Sequence, residues 1–486
     1  MYLDGDTERA QIWGETFDVK GYPTVIVFNP GGDEIMRLTS GIDAAQYASV
    51  LDSAKALMTP IADVLANVEK VGPAAAAKED LHLLAFYAWD QDSQLKLEDD
   101  RKLALLKRLW QETPDALAVE KGRFLCLWVE GLHQARSAAK DAAAEGETPK
   151  LPAPSAEEAK AIEAGLAAVF SDPTLRSANT NTIYYWSEET ATMLYPEAGP
   201  ARDAFVARWM DAAKAIEADE AMTVDDRLTA LYPQIVLSRL QAASAAVAAA
   251  AAVTSTAAVT ASAAATATAP AAADTEPTAV PLPADLVAHV ADQVKWATAK
   301  VTDASEMQTV MGTMVWMLQE SGQDDAAEQL LKDKLDTTLQ PYYYMSELAD
   351  MAEKKDDTKG ALEWYRKAWQ STEGSMTRFR WGYSYLRALL RLTPDDEKTF
   401  ETDATTILTD LMAKEDALAL GNGDRMGSLS DAVLKWNADG KHDAVVTRLR
   451  AIVAARCAAL DATGETSQQS KCQKFLMPKD ADAQNG

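Results

Sequence analysis

The sequence is poor in the residues that bind metals and carry out thiol chemistry. Its 486 residues include three cysteines and four histidines. The cysteines form no Cys-x-x-Cys pair and the histidines are isolated from one another, so no zinc-type spacing or redox dithiol is present. P-loop, Rossmann, nucleophile-elbow and kinase signatures are missing as well. The sequence therefore predicts no cofactor and no metal, and it predicts ordinary helix-surface or half-buried roles for His82, His133, His289 and His442.

Basic residues are few relative to acidic ones. The chain has 47 Lys and Arg against 74 Asp and Glu, and the net charge of −27 is spread along its length. An acidic surface of this kind disfavours nucleic acid and anionic membranes as partners and favours solubility. The partners that we expect are proteins or peptides.

Long runs of large apolar residues are also missing. The uncharged stretch 240–273 is long enough to cross a bilayer, but it consists mainly of Ala, Ser and Thr, whose transfer into lipid is not favourable. We therefore expect no membrane insertion. The first six residues, Met1–Asp6, contain neither the basic region nor the apolar run of a signal peptide.

Composition divides the chain into five segments. The Ala-, Thr- and Pro-rich stretch is typical of a helix that continues to about Ala252, followed by a low-complexity linker. The regions on either side have helical periodicity. The predicted segments are 1–58 (mixed strand and helix), 60–240 (all helical), 241–284 (linker), 285–460 (helical, repeat-like) and 461–486 (tail).

One stretch near the start has the character of strands. Residues 17–28 place a proline-containing loop before a run of apolar residues that predicts a buried strand. The turn Asn29-Pro-Gly-Gly then leads into a second predicted strand, Glu34–Thr39. Helical spacing is found before this stretch, over Thr7–Phe17, and after it, over Asp43–Met58.

This order of elements resembles the second half of a thioredoxin domain, in which a Gly-x-Pro-Thr loop precedes a strand. The resemblance covers residues 1–58. It implies that the proline is cis and that Gly21, Tyr22, Pro23 and Thr24 form a substrate-binding loop. The backbone of Tyr22 would then pair with an extended substrate segment.

The resemblance also implies a catalytic Cys-x-x-Cys half, which this chain does not contain. Only 22 residues precede Pro23, and the nearest cysteine is Cys126. Met1–Asp4 and Thr24–Phe28 would face each other across an empty strand position, so residues 1–58 are predicted to be the least stable region. Either the natural protein begins upstream, which is what we expect, or the domain is a degenerate remnant.

The region after the linker repeats with a period of 34 residues. Aligning Ala327 with Ala361 also aligns the apolar positions of the flanking helices. Gly360–Ala368 resembles the second helix of a tetratricopeptide repeat, which has this period. The fold class that we predict is a fragment of the thioredoxin α+β fold followed by a mostly all-α chain of tetratricopeptide-like helical pairs.

The last two cysteines are close in sequence. Cys457 and Cys472 are 15 residues apart and flank a turn-rich segment, so they are either a disulfide pair or two unrelated thiols. Cys126 lies among large apolar residues and is expected to be a buried free thiol. A disulfide would fit an oxidising compartment, which we expect to be the bacterial periplasm or envelope.

Two functions remain open on the sequence alone. The chain is either part of a thioredoxin-like protein related to thiol-disulfide interchange proteins, with a helical region that binds partners, or a non-catalytic helical-repeat interaction protein. Stacked helical pairs present concave surfaces that bind peptides or proteins, which suits both. No catalytic residue is assigned in either case.

Overall fold

The computed structural model describes residues 8–21, 23–38, 44–144, 153–260, 281–419, 421–460, 462 and 467–477. Of residues 8, 11, 142–144 and 247–260 it describes only the backbone. The chain forms two compact units. One is Pro23–Gln323, and the other combines the described parts of 1–22 and 324–486. Helix α1 (Glu8–Thr16) and the strands that follow it, which the sequence assigns to one segment, thus belong to different units.

The predicted strand, turn and second strand are present as a hairpin. Strand β1 (Val25–Phe28) pairs antiparallel with β2 (Glu34–Leu38), with Val25 opposite Leu38. The side chain of Asn29 accepts a hydrogen bond from the backbone of Asp33 across the turn at 2.9 Å. This confirms a small sheet near the N-terminus of a mostly helical chain. The thioredoxin relationship and the repeat character stay predictions.

β1 is less buried than we expected, and β2 is the more buried strand of the two. β1, which we predicted to be buried, has Val25 38% and Phe28 36% exposed, whereas all five residues of β2 are buried. The difference arises because a segment distant in sequence covers β2. The backbone N–H of Ala88 donates to the carbonyl of Arg37 at 3.0 Å, and this edge of the hairpin is therefore paired.

A buried ion pair holds the hairpin to that segment. Arg37 is fully buried and forms two hydrogen bonds of 2.9 Å to the carboxylate of Glu34. Its remaining donors reach the carbonyl of Gln91 at 3.1 Å and the hydroxyl of Ser93 at 2.8 Å. Because every charge here is compensated, burial of the guanidinium is tolerated.

The rest of this unit is helical. Ile35, Met36 and Leu38 belong to the same hydrophobic cluster as the helices as far as Leu237, so the hairpin is part of the helical core. Short 3-10 helices occur at Pro73–Ala75 and Trp89–Gln91. The helices are α2 (Ala44–Leu57), α3 (Ile61–Val71), α4 (Lys78–Phe86), α5 (Asp99–Glu112), α6 (Ala118–Ala144), α7 (Ala156–Ser171), α8 (Pro173–Ser177), α9 (Thr180–Tyr185), α10 (Ser187–Leu194), α11 (Pro200–Ala218), α12 (Val224–Thr229), α13 (Leu231–Thr260), α14 (Ala284–Lys300) and α15 (Ala304–Glu320).

The helical region that we predict over 60–240 is interrupted at two places. One break lies at Trp186, between α9 and α10, where the carbonyl of Ile183 accepts a hydrogen bond from the buried indole of Trp209 at 2.8 Å. The other lies at Ala230, after which α13 continues to Thr260, beyond the predicted start of the linker. Among the described residues, none of the helices is long and apolar enough to cross a membrane.

The second unit contains α1 and a series of antiparallel helical pairs. Asp324 and Thr358 begin helices 34 residues apart, as do Pro341 and Ser375. Ala327 and Ala361, which the repeat alignment superimposes, are both fully buried. The helices are α16 (Asp324–Lys334), α17 (Pro341–Lys354), α18 (Thr358–Gln370), α19 (Ser375–Leu392), α20 (Glu397–Met412), α21 (Gly421–Trp436), α22 (Asp443–Cys457) and α23 (Gln468–Lys474).

We expect Glu34→Ala to destabilise the protein by about 3–5 kcal/mol, because it leaves the charge of Arg37 buried and unpaired. Urea-induced unfolding measures this change. Glu112→Ala is the matched control, since Glu112 forms an exposed pair with Arg108 at 3.0 Å and should contribute little. Equal effects of the two substitutions would mean that the buried pair does not anchor the hairpin.

We also expect His133 to make stability depend on pH. Burial, and then the positive charges of Arg136 and Lys140, lower the pKa of His133 from 6.5 to about 4. The unfolded chain therefore binds the proton more readily, so stability is retained above about pH 6.5 and falls by up to ~3 kcal/mol as the pH drops towards 4. His133→Gln should remove this part of the loss in unfolding curves recorded across that range. An unchanged pH profile would argue against a neutral buried imidazole.

Candidate functional site

The predicted substrate loop is only partly described. Tyr22 lies outside the described residues, Gly21 is half-buried and Pro23 is exposed. The hydroxyl of Thr24 donates to the side-chain oxygen of Gln91 at 2.5 Å, so it takes part in the attachment of the hairpin to the helices. The binding of an extended substrate by this loop stays a prediction.

None of the three cysteines offers a reactive thiol. Cys457 and Cys472, the pair that the sequence singles out, are joined in a disulfide with their Cα atoms 5.6 Å apart. Cys126 is a buried free thiol on α6, and burial raises its pKa to about 12. A thiolate nucleophile needs the opposite conditions, which are exposure and a lowered pKa.

A groove between α19 and α21 concentrates positive charge. It has a volume of about 660 Å³, and its charged lining residues are Arg387, Arg391, Lys435 and Asp431. Arg391 is bound by Glu353 through hydrogen bonds of 2.9 and 2.6 Å, whereas Arg387 and Lys435 are exposed. We refer to this feature as the α19/α21 groove.

The groove has an aromatic lining residue, Trp436, whose position is fixed by its own contacts. Its indole N–H donates to the carbonyl of Pro394 at 2.8 Å. The Trp436 ring stacks on the ring of His442, with 3.6 Å between the ring centroids, and it packs against Phe400, with 5.0 Å between the centroids. The part of the Trp436 ring that lines the groove adds apolar surface beside the cations.

Further arginines and tyrosines follow the same side of α19. Arg380, Tyr383 and Arg387 are three and four residues apart, a spacing that places them on one helix face. The guanidinium of Arg387 donates to the Tyr383 hydroxyl at 3.2 Å. On α21, burial and then the charge of Arg380 lower the pKa of Arg425, so two like charges lie close together here. The charges of Tyr383 and Asp424 act in the opposite direction and compensate part of this repulsion.

A second cavity, of about 560 Å³, lies in the unit Pro23–Gln323, and its lining carries both signs of charge, with Lys214 and Arg227 against Glu217 and Asp285. The carboxylate of Glu217 meets the imidazole of His289 at 2.5 Å and accepts from the side-chain amide of Gln234 at 2.8 Å. Such a balanced lining does not select a ligand by charge. Within the described ranges, no group of three His, Cys, Asp or Glu side chains could hold a metal ion.

Sequence reasoning did not find the groove. Its residues come from two helices separated by α20, and only the Arg380-x-x-Tyr383-x-x-x-Arg387 spacing on α19 is visible in the sequence. No protein-family model matches the chain, and no curated protein is similar enough to match it.

We expect thiol titration of the natively purified protein to count one thiol, and only after unfolding. The physical reason is that Cys126 is buried and the other two cysteines are bonded. For the same reason, the chain should not catalyse the reduction of insulin by dithiothreitol. Three titratable thiols, or an insulin reductase activity that is lost when one cysteine is replaced, would contradict this expectation.

Proposed function

We propose that this chain is a partner-binding protein whose helical pairs hold an acidic, extended peptide segment of another protein in the α19/α21 groove. The observation that carries the proposal is the placement of exposed Arg387 and Lys435 beside Trp436, in a chain whose net charge is −27. Cations gathered at one place on an acidic protein attract an anionic ligand to that place, whereas the rest of the acidic surface repels it.

The aromatic lining supports a peptide as the ligand. Tyr383 and Trp436 bring apolar surface next to the cations, and this combination suits a segment that alternates acidic and apolar side chains. Guanidinium groups also bind carboxylates in a bidentate manner, which adds orientation to the electrostatic attraction.

We propose further that the β1–β2 hairpin and α2 are a thioredoxin-related remnant that acts as a scaffold. The burial of Cys126 and the disulfide between Cys457 and Cys472 support this over redox chemistry by the chain's own cysteines. The competing proposal, a thiol-disulfide interchange protein, requires a dithiol from outside this sequence. The disulfide also supports an oxidising compartment such as the bacterial periplasm.

We expect a labelled peptide of alternating Glu and Tyr to bind the protein and a matched peptide of Gln and Tyr to bind far more weakly. Fluorescence anisotropy measures both, and rising salt should weaken only the acidic peptide. Arg387→Gln and Lys435→Gln should each weaken binding by about fivefold, which corresponds to an exposed ion pair of roughly 1 kcal/mol.

The matched control is Arg448→Gln on α22. Arg448 is also exposed, but it binds Glu401 and lies outside the groove. It should leave the affinity unchanged. Equal binding of the two peptides, or equal effects of the substitutions at Arg387 and Arg448, would refute the groove as the binding site.

A further inference from the structure

In the unit Pro23–Gln323, an exposed serine contacts a buried imidazole, which in turn contacts a buried carboxylate. The Oγ of Ser49 lies 3.3 Å from Nε2 of His82. The Nδ1 of the same imidazole lies 2.8 Å from Oε1 of Glu120. This is the connectivity of a serine nucleophile, a general base and an orienting carboxylate.

Three different helices supply these residues, namely α2, α4 and α6. His82 is 9% and Glu120 4% exposed, whereas Ser49 is exposed at the boundary between the core and solvent. The ring of Phe86, one turn further along α4, packs against the imidazole at 4.9 Å. The base is therefore held by its surroundings while the hydroxyl stays accessible.

The contact with Glu120 orients the imidazole of His82. Burial alone would raise the pKa of Glu120, but the hydrogen bond from His82 outweighs it, and the pKa of Glu120 lies below its ordinary value. An ionised Glu120 accepts the proton on Nδ1, which leaves the lone pair of Nε2 directed at the hydroxyl of Ser49. This tautomer is the one that a general base requires.

We propose that Ser49 is a nucleophile activated by His82 and Glu120, and that this site takes the acyl group of small carboxylic esters that reach it from solvent. The Oγ of Ser49 attacks the ester carbonyl while Nε2 of His82 takes its proton. The carbon–oxygen bond to the leaving group then breaks, and His82 returns the proton to the departing alcohol. Water hydrolyses the resulting acyl-serine by the same proton transfers and regenerates the free hydroxyl.

The exposure of Ser49 determines the kinetics that we expect. Water stabilises the charge that develops on the carbonyl oxygen, and this stabilisation is weaker than that given by a preorganised pair of backbone N–H donors. Turnover should therefore be slow, and the acyl-serine should be readily trapped. Activated esters with a good leaving group are the substrates to use first.

The full chain should be treated with a fluorophosphonate probe and, separately, with p-nitrophenyl acetate, and the modified peptide identified by mass spectrometry. We expect the label and the acetyl group on Ser49, and we expect Ser49→Ala to abolish both. The matched control is Ser53→Ala, one turn further along α2, which should keep full labelling.

Variants of His82 and Glu120 distinguish a role in activating Ser49 from a role in helix packing. His82→Gln and Glu120→Gln should slow the labelling of Ser49 by at least about tenfold, since general base catalysis typically contributes more than this. Circular dichroism verifies that each variant is folded. Failure to modify Ser49 in the unaltered protein, or equal labelling in a folded His82→Gln variant, would overturn the proposal and leave the three residues as a hydrogen-bond chain between helices.

Discussion

The ion pair between Arg37 and Glu34 is the contact on which the N-terminal part of the structure depends. A hairpin of two strands is marginal on its own, because it buries too little apolar surface. Here β2 is buried on both sides, and the guanidinium of Arg37 joins it to the segment around Gln91. The hairpin is thereby a layer of the helical core, and the aliphatic side chains of β2 contribute to one hydrophobic cluster with α3, α4 and α6.

This contact also changes how the resemblance to thioredoxin should be understood. The sequence predicts an open edge beside the hairpin, where a missing strand would pair. In the structure the backbone of Ala88 donates to Arg37, and Trp89 and Gln91 lie in a 3-10 helix beside it. The predicted empty position lies beside β1, whereas Ala88 and the 3-10 helix contact β2, so the hairpin is held to the helices through its other strand.

The parts of the fold that the sequence could predict are those with local signals. The Asn29-Pro-Gly-Gly turn predicted the hairpin, and helical spacing predicted α1 and α2 to within one residue at each end. The break at Trp186 was not predictable, because it depends on a hydrogen bond from Trp209 to the carbonyl of Ile183. The burial of Arg37 was missed for the same reason, since an arginine in a strand is expected on the solvent side.

Both candidate sites were missed because their residues meet through tertiary packing. In the α19/α21 groove, cations from two helices that are not consecutive share one surface. Each is an ordinary surface residue in the sequence, and an overall charge of −27 gives no sign of a local positive region. Charge can therefore be predicted for the whole chain from composition, but its concentration at one place depends on how the helical pairs stack.

The position of Ser49 also depends on tertiary contacts that are distant in sequence. A hydroxyl in the middle of a helix meets an imidazole only if the helix is fixed in rotation about its axis. Gln46, one turn earlier on α2, donates to the carbonyl of Thr174 at 3.1 Å and to the hydroxyl of Ser177 at 3.2 Å. Val50, the residue after Ser49, is fully buried in the core. Contacts with residues more than a hundred positions away therefore orient α2, and they place Ser49 at the boundary between core and solvent where His82 can reach it.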